Sequence, residues 1–282
     1  MRSDAYFTIM DTNYCYFKNC CNKFGTDECD YKCRQLDQMK YMLDLSNLPK
    51  KFKRPQKLQL ELIGNEKTAY LLENLMQDIE YFVENGYNAY FYGNTGSGKT
   101  SWAVKLMTTY FCNTAPKSNY KVRGLYISVP EFLRDAKLNM TYRDEDFKEL
   151  LDTIKECDIV IWDDIMQTDP TAYESQWLYS YINGRLANGL SNIFTSNLSP
   201  EEMSNKDARM YSRVCNNSDV LLFNGNDARL YQRYSRDLAK WEAEWAEEQV
   251  TNADSEDCVF DDNNDSENYN SEENELNISE DT

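Results

Sequence analysis

Apolar positions along residues 58–240 follow two alternating patterns, which predict strands and helices in turn. Short apolar runs predict buried strands at 87–92, 125–129, 158–162 and 192–196. Apolar residues three or four apart predict helices at 66–84, 101–111, 130–137, 147–154 and 172–186. Strands separated by helices favour a parallel sheet with right-handed crossovers. We therefore predict an α/β fold in which helices flank the sheet.

Composition divides the chain into four predicted regions. Residues 1–48 are rich in cysteine, 49–57 form a basic linker bracketed by prolines, 58–249 form the α/β core, and 250–282 form an acidic tail. The tail has few apolar residues, so we expect it to be disordered. The linker, with Phe52, either follows a phosphate backbone and stacks a base or is solvated charge. The tail either solubilises the chain or shields a DNA-binding surface.

The acidic charge of the chain is concentrated near its end. The net charge is −18, but residues 242–282 hold 16 acidic and no basic side chains. The rest of the chain has 32 acids against 30 bases and a net charge of −2. The acidic total therefore does not exclude nucleic acid as a partner.

The chain contains no histidine, which excludes His-based acid–base chemistry and mixed Cys/His zinc sites. No apolar run approaches the 18 residues of a membrane span, and the N-terminus lacks the order of a signal peptide. These features predict a cytoplasmic protein with no membrane partner.

A complete P-loop follows the first predicted strand and opens a predicted helix. Its residues are Gly93, Asn94, Thr95, Gly96, Ser97, Gly98, Lys99 and Thr100. Backbone N–H groups and the positive end of the helix converge on phosphates in such a loop. We expect Lys99 to reach the β- and γ-phosphates of ATP and Thr100 to offer its hydroxyl to Mg²⁺.

A second acidic element follows the strand at 158–162. A P-loop ATPase needs such an element to hold magnesium and orient water. We predict that Asp163 binds Mg²⁺ through a water and that Asp164 polarises the attacking water. Because glutamate more often has the second role and aspartate is one methylene shorter, slow hydrolysis is expected. The alternative is that both aspartates only end the strand and cap the residues from Ile165 onward.

Two further polar elements follow in the sequence. Asn197 directly follows the strand predicted at 192–196. There it either senses the γ-phosphate or caps the helix that begins near Pro200. Arg209 and Arg213 lie four apart on one helical face. They are either solvated or supply an arginine finger to the site of a neighbouring subunit.

Five cysteines in the N-terminal region predict a zinc module. They are Cys15, Cys20, Cys21, Cys29 and Cys33. Tetrahedral zinc takes four thiolates, and the best assignment is Cys15, Cys29 and Cys33 with one of Cys20 or Cys21. The spacing is irregular, and isolated free thiols are the alternative. The remaining cysteines, Cys112, Cys157, Cys215 and Cys258, are scattered and are expected to serve packing.

The order of these motifs resembles the DnaC/DnaI/IstB-like AAA+ ATPases, which include bacterial and phage loaders of the replicative helicase. The resemblance covers roughly residues 60–232 and rests on the P-loop, IVIWDD at 159–164, TSN at 195–197, INGR at 182–185 and RMYSRV at 209–214. By matching position, it implies that Asn197 is the sensor-1 residue and Arg213 the arginine finger. It makes Arg185 and Arg209 secondary candidates for contacts across a subunit boundary.

The resemblance also implies a function. Similar loaders carry an N-terminal zinc domain that docks on the helicase, a core that handles ATP and single-stranded DNA, and little or no helical lid. We therefore predict a phage-encoded ATPase that self-associates through its ATP sites and loads the replicative helicase onto single-stranded DNA. Two alternatives keep the P-loop: a transposition helper that acts on duplex DNA, and a DNA-binding replication initiator or regulator with negligible turnover.

Overall fold

A computed structural model describes residues 15–17, 21, 23–29, 33–53, 58, 65–142, 144–167 and 170–225. The chain divides into two units, Met1–Tyr231 and Gln232–Thr282, and every described residue lies in the first. The tail predicted to be disordered, the segment expected to form little or no helical lid, and Cys258 all fall outside the described residues.

Five parallel strands form one sheet. They are β1 (Asn88–Gly93), β2 (Gly124–Ser128), β3 (Ile159–Asp163), β4 (Ser191–Ser196) and β5 (Asp219–Phe223). Their order in the sheet is β2-β3-β4-β1-β5, so β4 lies between the P-loop strand and the acidic strand. All residues of β3 and β4 are buried, as expected for parallel strands covered on both faces. The predicted α/β fold with a parallel sheet is confirmed.

Nine α-helices are found in the described part of the chain. They are α1 (Arg34–Leu45), α2 (Glu66–Gln77), α3 (Ile79–Glu84), α4 (Lys99–Thr114), α5 (Val129–Tyr142), α6 (Glu145–Glu156), α7 (Ala172–Ala187), α8 (Pro200–Lys206) and α9 (Ala208–Val214). The single helix predicted at 66–84 is wrong in one respect: Asp78 leaves the helical conformation (φ −108°, ψ 27°) and separates α2 from α3. None of these helices has the length and apolar character needed to cross a membrane.

The two faces of the sheet pack against different helices. Side chains alternate along each strand, so Phe91 and Ile161 belong to a buried cluster with α1–α4. Tyr90 and Trp162, the neighbours of Phe91 and Ile161 in the chain, belong to a second cluster with helices α5–α9 on the other face. Asp163 has the same parity as Ile161 and faces α4, the helix that carries the P-loop lysine.

Helix α1 and the residues after it pack on this core. Met39 and Met42 of α1 are fully buried in the same cluster as α4. Among the described residues, no break in packing separates 34–48 from the α/β core. Phe52 is also buried, so the idea that it stacks a base is wrong. Lys53 next to it pairs with Asp44 at 3.1 Å.

Candidate functional site

The P-loop bridges the end of β1 and the start of α4. Its glycines take backbone conformations that L side chains rarely adopt, with φ of 134° at Gly93, 80° at Gly96 and 98° at Gly98. A Cβ on Gly93 would also collide with the carbonyl of Phe223 on β5. The glycine pattern therefore follows from the loop conformation and from the close approach of β5.

The ammonium group of Lys99 is held inside the loop. Its Nζ donates to the carbonyl oxygens of Gly93 and Asn94, both at 2.8 Å, and to Oδ1 of Asn197 at 2.9 Å. Lys99 is only 6% exposed. Three oxygen acceptors thus fix a positive charge where the loop encloses it, and phosphate oxygens are acceptors of the same kind.

Asp163 is the acidic centre of the site. Its Oδ1 accepts from the hydroxyls of Thr100 and Thr195, both at 2.7 Å, and its Oδ2 accepts from the Tyr126 hydroxyl at 2.6 Å. Asp163 is 6% exposed. Hydroxyl and carboxylate oxygens are the ligands that Mg²⁺ prefers, so the residues present suit this ion.

Asp164 begins a tight turn after β3. It takes a left-handed conformation with φ of 58°, which aspartate tolerates better than most residues. Its N–H donates to the Thr195 hydroxyl at 3.0 Å, and the N–H of Ile165 donates to the Thr195 carbonyl at 2.9 Å. The turn is therefore pinned to β4. No α-helix begins at Ile165, so the capping alternative for the two aspartates is wrong.

Asn197 follows β4 and reaches the P-loop through Lys99. The N-cap of α8 is Ser199 instead, whose side chain forms a capping box with Glu202. The alternative in which Asn197 caps this helix is therefore wrong. The strand order explains its placement: because β4 lies between β1 and β3, a residue just after β4 stands between the P-loop and Asp163.

The sequence pattern alone does not identify two contacts of Asp163, those from Thr195 and Tyr126. The Thr195 hydroxyl accepts from the backbone N–H of Asp164 and donates to Oδ1 of Asp163. Tyr126 of β2 pairs with Ile161, two residues before Asp163, and its long side chain spans that gap. Burial and the charge of Asp163 raise the pKa of Tyr126, so its hydroxyl stays a donor. Tyr126 can be placed on the same face of the sheet as Asp163 only once the pairing of β2 with β3 is known.

Arg185 does not reach the protein surface. It is 1% exposed, and its guanidinium donates to Oδ1 of Asn192 at 2.8 Å and to the carbonyls of Cys157 and Ser191 at 2.9 and 2.7 Å. Its assignment as a contact across a subunit boundary is therefore wrong. Arg185 instead ties α7 to the starts of β3 and β4. Burial lowers its pKa.

Arg209 and Arg213 of α9 both contact Tyr179 of α7. The Arg213 Nε donates to the Tyr179 hydroxyl at 3.1 Å, and the Arg209 guanidinium lies 4.5 Å from the ring centroid. The hydrogen bond from Arg213 lowers the pKa of Tyr179. The pair is thus held by an aromatic side chain rather than fully solvated.

The N-terminal cysteines come together only in part within the described residues. Cys15, Cys21, Cys29 and Cys33 are free thiols, and Cys20 lies outside the described residues. In the described part of the chain, no group of three or more Cys, Asp or Glu residues has metal-binding geometry. Burial raises the pKa of Cys15, and Cys29, Cys21 and Cys33 raise it further, so these three cysteines lie within electrostatic reach of Cys15. The packing role expected for Cys157 and Cys215 is confirmed, since both are buried.

Comparison with known proteins places this site in a family. The family of the bacterial DnaA ATPase domain matches residues 65–218. A crystal structure of DnaI shares 20% identity and a TM-score of 0.52, covering 66% of this chain and 98% of that one. A crystal structure of the DnaC helicase loader shares 15% identity and a TM-score of 0.49, covering 59% and 94%.

A third structure, the replication initiator DnaA bound to AMPPCP and single-stranded DNA, shares 17% identity and a TM-score of 0.46. The match covers 57% of this chain and 47% of the initiator, so this chain spans about half of the initiator's length. No curated protein matches the sequence. The family match spans more than half of the chain and includes the P-loop, Asp163 and Asn197. The chain therefore belongs to the family of the bacterial DnaA ATPase domain, an AAA+ family.

Proposed function

We propose that this chain is an ATP-dependent loader that places a replicative helicase on single-stranded DNA. The observation that carries the proposal is a pair of hydrogen bonds at the carboxyl ends of the strands. Lys99 donates to Asn197, and the adjacent Thr100 donates to Asp163. This end of the sheet combines a phosphate-binding loop, a magnesium-type donor set and a polar residue between them. The likeness to DnaI and the DnaA-type family support a replication role.

Each residue has a proposed task during ATP hydrolysis. Lys99 exchanges its carbonyl acceptors for the β- and γ-phosphates, and Asn197 registers the γ-phosphate through its contact with Lys99. Thr100 and Asp163 would hold Mg²⁺, Asp163 through a water, and the ion would supply positive charge against the phosphates. Asp164 accepts a proton from the water whose oxygen attacks the γ-phosphorus while the bond to the β-phosphate oxygen breaks. Its short side chain limits the rate.

The second wall of the site is proposed to come from a neighbouring copy of the chain. Arg213 is held by Tyr179 on α7, and its guanidinium is the proposed arginine finger, with Arg209 beside it. Such a finger stabilises negative charge in the transition state. ATP would then promote self-association, and hydrolysis would release the helicase.

The N-terminal cysteines are proposed to bind zinc and dock on the helicase. Cys21, Cys29 and Cys33 lie within electrostatic reach of Cys15, and Zn²⁺ favours sulfur ligands. Metal analysis of the purified full chain is expected to find about one zinc per chain. The Cys29→Ser and Cys33→Ser variants should lose it, whereas Cys112→Ser should keep it. Zinc-free wild-type protein would contradict this part.

A DnaA-like initiator or regulator is the second candidate, because the matched family is that of the DnaA ATPase domain. In that case ATP binding alone switches assembly, and turnover is negligible. The Asp164→Asn variant would then still bind ATP and function normally. A loader, in contrast, loses release of its client in this variant.

The loading assay tests the proposal directly. Purified replicative helicase, the full chain, ATP and circular single-stranded DNA are incubated, and helicase retained on the circles is measured after gel filtration. We expect retention to require both the chain and ATP and to fail with Lys99→Ala. Retention that is independent of the chain, or a preference for duplex circles, would contradict the proposal.

A further inference from the structure

We infer that Tyr126 is a positioning residue for Asp163 and that the residues following α1 hold Tyr126 in place. The inference rests on the proposed function, because Asp163 is there a ligand of magnesium. Tyr126 lies on β2, an edge strand of the sheet, yet its hydroxyl contacts the acidic centre of the site. The residues after α1 are thus connected to Asp163 through the side chain of Tyr126.

The three donors divide the Asp163 carboxylate between them. Thr100 and Thr195 both donate to Oδ1, whereas Oδ2 receives the Tyr126 hydroxyl. The terminal torsion of aspartate is soft, so two donors on one oxygen do not fix the plane of the carboxylate. The bond from Tyr126 to the second oxygen sets this plane. A ligand held in one orientation by such outer contacts binds its metal more tightly.

Tyr126 is itself held from the N-terminal side. Its backbone N–H donates to the carbonyl of Ser46 at 2.8 Å, and its carbonyl accepts from Nδ2 of Asn47 at 3.2 Å. The ring of Phe52 lies 6.5 Å from the Tyr126 ring. The residues after α1 therefore occupy the outer backbone groups of β2 at the position that controls Asp163. A movement of α1 would change the orientation of the magnesium carboxylate.

The experiment is a Mg²⁺ titration of ATP hydrolysis by the full chain. In Tyr126→Phe the ring and its packing remain, and only the hydroxyl is lost. We expect the Mg²⁺ concentration at half-maximal rate to rise about tenfold or more. The affinity for the fluorescent analogue mant-ATP in EDTA should stay within about twofold, since Lys99 and the loop are untouched. A general loss of structure would instead weaken the binding of both Mg²⁺ and mant-ATP.

Tyr110→Phe is the matched control. Its buried hydroxyl also donates to an aspartate, Oδ2 of Asp158, at 2.9 Å. Asp158 directly precedes β3, so it lies at the amino ends of the strands, away from the ATP site. Its Mg²⁺ midpoint should equal that of the wild type. A second variant, Asn47→Gly, keeps the positive φ of 56° and removes only the amide that holds Tyr126. We expect its midpoint to rise about two- to fivefold.

The outcomes are distinguishable. Midpoints of Tyr126→Phe and Asn47→Gly that equal that of an active wild type would overturn the positioning role and leave the proposed ATPase intact. An equal rise in Tyr110→Phe would also overturn it, because the effect would then follow from any lost tyrosine bond. A wild-type chain that does not hydrolyse ATP would overturn the proposed function and the positioning role together.

Discussion

The Nζ of Lys99 donates to Oδ1 of Asn197 over 2.9 Å, so the P-loop and the end of β4 are joined by one hydrogen bond. Lys99 has two backbone acceptors besides Asn197. Lys99 therefore keeps partners without Asn197, whereas the loss of Lys99 removes the link between Asn197 and the loop. This asymmetry separates binding from catalysis in the predictions for the two residues.

The Asn197→Ala variant should bind ATP almost normally and hydrolyse it slowly. Lys99 retains its place in the loop, so the Kd for ATP should change by less than about threefold. The kcat should fall about 100-fold, because a polar group that acts on the transferring phosphate is lost. Equilibrium binding and steady-state kinetics measure the two effects. An increase in Kd with an unchanged kcat would contradict the role of Asn197.

Arg213 should act on the site of a neighbouring subunit. Arg213→Ala is expected to lower the rate of hydrolysis about a thousandfold. The variant retains an intact P-loop, whereas Asp164→Asn retains Arg213. Mixing the two inactive variants should therefore restore hydrolysis above the sum of the separate rates. If mixing restores nothing, Arg213 does not act across the subunit boundary.

Arg185 should matter for stability rather than for catalysis. Arg185→Ala leaves buried carbonyl groups of the strand starts without a donor, and the free energy of unfolding should fall by about 3 kcal/mol. Urea denaturation measures this change. Arg134→Ala is the control, because this exposed arginine pairs with its exposed neighbour Asp135, and its effect should stay within about 0.5 kcal/mol. Equal effects of the two variants would contradict the structural role.

Cys157 and Cys215 should resist alkylation in the folded chain. Burial raises the pKa of Cys157 to about 11 and that of Cys215 to about 12. A raised thiol pKa stabilises the fold at pH values below the pKa of the unfolded thiol, about 8.5, and this contribution is lost as pH rises through the folded value. At pH near 9, iodoacetamide should modify both only in urea, as measured by mass spectrometry. Rapid modification of the native chain would contradict this.

The sequence predicted those features that depend on short stretches of chain. The glycines of the P-loop, the apolar strands and the acidic end of β3 each carry a local signal. The break at Asp78 was missed, because a single aspartate inside an apolar helical pattern is compatible with a continuous helix. Arg185 was wrongly assigned to a subunit boundary, because its position in a motif does not show whether its side chain is buried. Tyr126 depends on the register of two strands 30 residues apart in the chain, which apolar periodicity does not specify.

The most direct test of the account is the rate of ATP hydrolysis by the wild type and by Asp164→Asn in the presence of Mg²⁺ and single-stranded DNA. We predict a slow, Mg²⁺-dependent wild-type turnover, below about 1 per second, which is at the low end of enzyme rates. Asp164→Asn should bind ATP with similar affinity and show a rate at least about 100-fold lower. Equal rates for the two proteins, or a wild-type rate typical of fast motor ATPases, would contradict slow hydrolysis that depends on Asp164.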